Sequence, residues 1–282
     1  MMPDNRATTG TTRPTRTRGR FFVTGVGGQL GHDVMNELVN RGHIAIGSDI
    51  APSYAGVQDG SPVTTAPYVQ LDITQHDEAL AAIERVKPID GIIHCAAWTN
   101  VDKAEDEDVR PLVYRINAEG TRNIAEAAKA MDAKLIYIST DYVFGGEGTR
   151  PWQPDDKDFK PLNYYAVTKL EGEKAVSSLL QKFFIVRIAW AFGLNGNNFI
   201  KTMINVGKKH DQVRVVNDQI GTPTYTLHLA RLLADMIETE KYGFITQQIV
   251  RKLRAATSVG MITAVRFIGS TDWRHALSLC QA

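Results

Sequence analysis

The chain has 282 residues, 43% hydrophobic and 22% charged, with a net charge of +1. That length buries one sizeable core plus a smaller lobe, and a charge so close to zero gives no general pull toward nucleic acid or a membrane. Two cysteines, Cys95 and Cys280, form neither a disulfide framework nor a metal-ligand spacing, and no apolar run is long enough to span a bilayer, so a reducing cytoplasm is expected.

Residues 1–20 carry five arginines, six threonines and one acid, Asp4, with no apolar period. This composition predicts a disordered tail, read as an over-extended start or a vector-derived remnant. A transit peptide is also Arg-rich, but it should show an amphipathic face, and none is present.

Order is expected from Arg20. RFFVTG is a short apolar run ending in glycine, a buried strand, and residues 29–41 have helical apolar spacing. Strands follow at 43–49 and 68–73 with an irregular Pro/Gly/Ser stretch between them, then a helix over 76–87 and a strand over 89–96. A long helix is predicted over 109–132, a strand over 133–140, a helix over 163–182 and a strand over 183–190. Apolar strands alternating with amphipathic helices predict a doubly wound α/β fold with a parallel sheet, whose ligands lie at the carboxyl ends of the strands. The expected division is a cofactor domain over 20–190 and a small substrate lobe over 191–282.

The first strand-to-helix turn, TGVGGQLG, sets Gly25, Gly28 and Gly31 in a GxxGxxG pattern. A pyrophosphate needs backbone N–H groups at close range and a helix N-terminus, and side chains would block both. Asp49 ends the second strand, 18 residues beyond Gly31, where a carboxylate can accept from a ribose 2′-hydroxyl. Residues 50–67 contain no Arg or Lys to meet a 2′-phosphate, which leans toward NADH over NADPH. Asp72 either meets the adenine edge or belongs to the cap region of the next helix, and the sequence supports both readings equally.

The stretch IYISTDYVF ends the fifth strand with Ser139 and Thr140, and NYYAVTKLEGEK follows with Tyr165 and Lys169 at i and i+4 of a helix. An ammonium beside a phenol is expected to lower its pKa, so Tyr165 can exchange a proton with a carbonyl oxygen that Thr140 hydrogen-bonds. Tyr164 stands five residues from Lys169, off the shared face, and reads as a packing or entry residue.

These stretches, with QLDIT, IIHCAAWTNVDKAE, RINAEGTRNIAEAA, GNNFIKTM and DQIGTPTY, resemble the extended short-chain dehydrogenase/reductases over about residues 20–244. Within that family they resemble the dTDP-4-dehydrorhamnose reductases. The resemblance implies NAD(P)H as hydride donor, a dTDP-sugar with a C4 ketone as substrate, and a monomer or homodimer. Thr140, Tyr165 and Lys169 fall on its catalytic positions. Gly25, Gly28, Gln29, Leu30, Gly31, Asp49, Asp72, Ile73, Cys95, Ala96 and Ala97 fall on cofactor positions, which Tyr165 and Lys169 share. Trp98, Val101, Asp102, Tyr142, Trp190 and Asn198 fall where the sugar nucleotide is handled. A Mg2+ ion is compatible with the family, but no ligand spacing marks one. Ala166 departs from the family's usual glycine without touching the catalytic pair.

Related 4,6-dehydratases carry Thr-Asp-Glu after the fifth strand. Here the third position is Tyr142, which leaves no carboxylate for elimination and favours simple reduction. The β subunit of methionine adenosyltransferase belongs to the same branch, so a catalytically silent binding protein is the competing reading.

The resemblance ends after Phe244. Reading FITQQI from the third base of the Phe244 codon permits Tyr-His-Ala-Thr-Asn, a family-like strand, and RFIGSTDW in that frame permits a family-like helix. A frame change near Phe244 is therefore expected, with a divergent natural tail as the alternative.

Overall fold

The computed structural model describes residues 18–147, 150–210, 212–215, 219–246 and 253–254. The expected disordered tail over 1–19 and the atypical 245–282 segment lie almost wholly outside the described residues.

Seven parallel strands form one sheet. In chain order they are β1 (Arg20–Thr24), β2 (Ile44–Asp49), β3 (Tyr68–Gln70), β4 (Gly91–His94), β5 (Lys134–Thr140), β6 (Phe183–Ile188) and, after three short strands, β10 (Gly243–Thr246). Their spatial order is β10-β6-β5-β4-β1-β2-β3. The chain therefore leaves β1 toward one edge and later returns to its other side at β4. That reversal opens a crevice above the carboxyl ends of β1 and β4, the place where a doubly wound sheet binds a dinucleotide.

Helices cover both faces. One face carries α2 (His76–Arg85), α4 (Gly120–Ala130) and α5 (Tyr164–Leu179), whose Ile83, Ile124 and Val176 pack with Phe22, Ile92, Leu135, Tyr137 and Ile185. The other carries α1 (Gln29–Asn40) and α7 (Thr226–Ile237), whose Val34, Leu38, Leu229 and Leu233 pack with Val23, Ile93, Ile136 and Val186. Alternate residues of each strand thus feed two cores. Each such buried aliphatic side chain contributes about 1.5–3 kcal/mol.

The division at residue 190 does not follow the packing. Helix α7 completes one core, and β10 pairs with β6 through Phe244↔Ile185 and Thr246↔Arg187. Both belong to the sheet body. Between them and β6 lie β7 (Ala191–Phe192), α6 (Phe199–Gly207), β8 (Ile220–Gly221) and β9 (Thr224–Tyr225); β7 pairs with β9, and β8 pairs with β11 (Leu253–Arg254).

The predicted long helix is three pieces: α3 (Arg110–Tyr114), one π turn over Arg115–Glu119, and α4. The π turn brings Asn117 fully inside. Its Oδ1 accepts the Trp98 N–H at 2.9 Å, and its Nδ2 donates to Trp98 O at 3.2 Å and to Thr168 Oγ1 at 3.0 Å. A regular helix would turn this amide away; the insertion uses it to fasten the segment after β4 to α5.

A cavity of about 610 Å³ lies at the amino ends of the strands, away from this crevice. Its lining charges are largely paired, Lys134 with Glu240 and Lys182 with Asp132.

Candidate active site

The glycine turn is built by close approach. Gly25 has φ +71°, and a Cβ on it would sit 2.6 Å from Ala96 N. A Cβ on Gly31 would sit 2.2 Å from Gly25 O, so only glycine lets α1 start this near the turn. Gly28 occupies the cap position of α1, and no side chain caps that end. The first-turn N–H groups of Gln29, Leu30 and Gly31 thus begin the helix without a side-chain acceptor, which suits a phosphate.

Asp49 Oδ2 accepts Gly27 N–H at 2.9 Å, and Oδ1 accepts Ile50 N–H at 2.8 Å. The carboxylate both shapes the turn and keeps lone pairs for a ribose hydroxyl. Asp72 accepts from Thr74 N and Thr74 Oγ1 at 2.9 and 2.8 Å. It shapes the turn before α2 without capping it, because the cap position is Gln75. Ile73 beside it is buried against the position of Gly120, where a Cβ would lie 2.9 Å from its side chain.

Beyond β4, Cys95, Ala96 and Ala97 line the crevice as partly exposed residues. Ala96 N donates to Thr24 Oγ1 at 3.1 Å, which in turn meets His94 Nδ1 at 2.7 Å. Burial and the nearby Lys169 ammonium push His94 down to about 3, and burial pushes the Cys95 thiol up to about 12. Both are therefore neutral, and His94 serves as a hydrogen-bond bridge between β1 and Thr121.

Thr140 ends β5, the next residue, Asp141, acts on Tyr165 of α5, and Lys169 lies one turn further along that helix. Asn163 Oδ1 caps α5 by accepting Ala166 N–H at 2.8 Å, which fixes the helix phase. Lys169 is 2% exposed, makes no ion pair among the described residues, and holds its ammonium 4.2 Å from the Tyr137 ring centroid. Burial lowers its pKa to about 7, and Glu173 one turn on opposes that shift. The Tyr165 phenol is pushed up, first by burial and then by Asp141 and Tyr142. The expected lowering is not what sets the direction: burial, Asp141 and Tyr142 all act to raise it.

The Ser139 hydroxyl is buried and finds no partner among the described residues. Thr140 Oγ1 accepts Tyr142 N–H at 3.2 Å and donates to Asp141 Oδ1 at 3.3 Å. The reading that Tyr142 leaves the site without a carboxylate is therefore corrected: the neighbouring Asp141 supplies one, and the sequence pattern STDY already contained it.

Of the predicted sugar-handling residues, Tyr142 and Trp190 are hydrogen-bonded, and the Asp102 charge acts on Tyr142. Trp190 stands at φ +46°, and its ring lies so close to Gly221 that a Cβ there would be 2.8 Å away. Trp98 Nε1 donates to Asn100 O, and Val101 and Asp102 follow on the same partly exposed segment. Asn198 differs from expectation. Its Oδ1 caps α6 through Lys201 N, and its Nδ2 donates to Gln29 Oε1 and Gly193 O. It fastens α6 to the glycine turn, and Asn195 does the same through Gly27 O and Gly28 O. Tyr164 is a packing residue: Arg110 lies 5.0 Å over its ring. No group of three or more metal-ligating side chains occurs among the described residues, and none of their helices is long and apolar enough to cross a membrane.

The family model described as RmlD substrate binding domain matches residues 19–249. A dTDP-4-dehydrorhamnose reductase of Aggregatibacter actinomycetemcomitans is 36% identical over 230 residues, covering 79% of this chain and 71% of the relative. That of Streptomyces griseus is 38% identical over 218 residues, covering 77% of this chain and 64% of the relative. The match thus spans about two thirds of the length of these curated relatives. A solved dTDP-4-dehydrorhamnose reductase of Clostridium acetobutylicum has TM-score 0.76 and 38% identity, covering 89% of this chain and 80% of that one. That of Bacillus anthracis, in complex with NADP, has TM-score 0.74 and 36% identity, with 88% and 82% covered. By sequence and fold, the chain belongs to the RmlD substrate-binding-domain family.

Proposed function

We propose that the chain reduces the C4 ketone of dTDP-4-dehydro-L-rhamnose to give dTDP-L-rhamnose. The observation that supports this best is that the end of β5, where Asp141 follows Thr140, acts on Tyr165 of α5, the helix that also carries the buried Lys169, while α1 starts uncapped after the glycine turn. A nicotinamide dinucleotide supplies the hydride when bound. The residues present fit it: glycines where a Cβ would collide, free first-turn N–H groups for the pyrophosphate, Asp49 for the adenine ribose, and a buried ammonium at Lys169 for the nicotinamide ribose.

Thr140 then hydrogen-bonds the ketone oxygen and holds it at Tyr165. The phenol gives its proton to that oxygen as the C4 carbon accepts hydride. Lys169 stabilises the phenolate left behind, while Tyr142 and Trp190 orient the sugar. The Thr140–Tyr165–Lys169 set argues against a silent binding protein, which has no need of a proton donor.

The assay follows NADH or NADPH oxidation with dTDP-4-dehydrorhamnose. Turnover is expected with both, and kcat/KM is expected to be several-fold higher with NADH. Asp49 repels a 2′-phosphate, and no Arg or Lys stands within 50–67 to offset it. No oxidation with either cofactor discards the reductase reading; a strong NADPH preference discards only the role given to Asp49.

The substrate lobe is proposed to be built from 191–225 together with the residues after 246. The family match stops at residue 249, and we attribute the departure beyond Phe244 to a frame change. Resequencing the coding DNA is expected to show an open alternative frame encoding Tyr-His-Ala-Thr-Asn from codon 244. A stop codon in that frame before the family-like helix rules the idea out.

A further inference from the structure

Thr140 carries one hydroxyl hydrogen, and in this structure it is already used. Its Oγ1 donates to Asp141 Oδ1 at 3.3 Å while accepting the Tyr142 N–H at 3.2 Å. A threonine hydroxyl has one hydrogen and two lone pairs. Given to Asp141, that hydrogen does not reach a ketone oxygen. Turned outward instead, it leaves a desolvated carboxylate facing hydroxyl lone pairs, which is unfavourable. Protonation of Asp141 removes the conflict. The carboxylic acid donates to one lone pair of Thr140, Tyr142 N–H fills the other, and the hydroxyl hydrogen is released.

We infer that Asp141, in its neutral form, turns the Thr140 hydroxyl toward the substrate's C4 oxygen and so acts as a positioning residue. This rests on the reductase reading proposed above. Asp141 keeps its proton throughout: the hydride and the Tyr165 proton alone convert ketone to alcohol.

Two further observations agree. Burial raises the Asp141 pKa to about 6, against the opposing hydrogen bonds from Thr140 and from the backbone N–H groups of Asp141 and Tyr142. The Asp141 carboxylate is also one of the groups that push the Tyr165 phenol up, so its neutral form eases proton release from Tyr165. The other ionisable groups facing this corner are Tyr142 on the same turn, Tyr165 and then Lys169 from α5, and Asp102, which acts on Tyr142 from the segment after β4. Asp141 has no ion-pair partner among the described residues.

The test uses the full chain with two readouts. In infrared spectra recorded against pH, a protonated-carboxyl band is expected to titrate near pH 6. It should be absent in Asp141→Asn, and it should persist to higher pH in Thr140→Val, where the bond favouring the carboxylate is gone. In turnover, wild-type kcat is expected to fall as pH rises through the Asp141 range, approaching tenfold per unit, and to fall again where Lys169 loses its proton. Asp141→Asn, whose amide donates at every pH, should lose the first fall and keep the second. A first fall that survives in Asp141→Asn, or a band that Thr140→Val does not move, overturns the inference. Thr140→Val retains Asp141, so the spectroscopic arm holds even where the asparagine variant folds poorly. Wild-type protein that never oxidises NADH or NADPH with the keto-sugar nucleotide overturns the reductase reading, and this inference with it.

Discussion

Tyr165→Phe is expected to lower kcat by about 10²–10⁴-fold, the range carried by a positioned general acid. The dissociation constant for NADH or NADPH should stay within about threefold. The argument is one of subtraction. Phenylalanine keeps the ring, and α5 keeps its Asn163 cap, which bonds Ala166 N rather than Tyr165. Lys169 keeps its place over the Tyr137 ring, and Tyr165 O still accepts the hydrogen bond that Thr168 Oγ1 donates. Only the proton donor is lost, and it is a donor that burial holds in its protonated form. Tyr164→Phe is the control. That ring lies under Arg110 and its N–H donates to Glu105 Oε1, so neither role needs its hydroxyl, and turnover should change less than about twofold. Steady-state absorbance and a fluorescence titration of the cofactor measure both quantities. Near-normal turnover in Tyr165→Phe would falsify the assignment of the proton donor, whatever the cofactor affinity.

Much of this site was legible because its signals are local. Glycines at 25, 28 and 31 after an apolar strand, and a Tyr–Lys pair at helical spacing, need only chain periodicity to be read. What escaped depends on three-dimensional surroundings. The periodicity over 109–132 is helical throughout, so the π turn that draws Asn117 inside leaves no mark beyond one polar residue on an apolar face. The spacing predicts a lowered Tyr165 phenol because the sequence shows a lysine but not the burial, Asp141 and Tyr142 that push the phenol up. Asp141 is inconspicuous in STDY because nothing in the sequence shows that its carboxylate is buried against the Thr140 hydroxyl. Helix α7 had a clear pattern in TLHLARLLADMI, yet a boundary drawn at 190 left it outside the sheet body it helps to build. Arg187 gave the plainest unused signal, a single charge in the buried strand FFIVRI.

That arginine carries the largest expected effect on stability. Arg187 is 1% exposed in β6, and its Nε and Nη2 donate to the two carboxylate oxygens of Glu173 at 2.9 and 2.7 Å. Nη1 donates to Pro154 O at 3.1 Å, and the rings of Phe144, Phe159 and Phe244 surround the guanidinium at 4.9–5.2 Å. Glu173→Leu leaves that charge buried and unpaired, and is expected to cost about 3–5 kcal/mol. Glu173→Leu with Arg187→Met removes both charges while keeping comparable volume, and should recover most of the loss. Urea denaturation of the wild type and the two variants measures this; a double variant as unstable as the single one shows that the rings and Pro154, rather than the ion pair, set the cost. The recovered fold should still be impaired in function. Glu173 lies one turn beyond Lys169 and raises its affinity for a proton against the burial that lowers it to about 7. Without Glu173 the ammonium is lost at lower pH, so the alkaline fall of kcat should begin earlier in the double variant, although its stability is restored. The same pair thus ties β6 to α5 and helps keep Lys169 charged one turn beyond Tyr165, and Phe244 of β10 forms one wall around it.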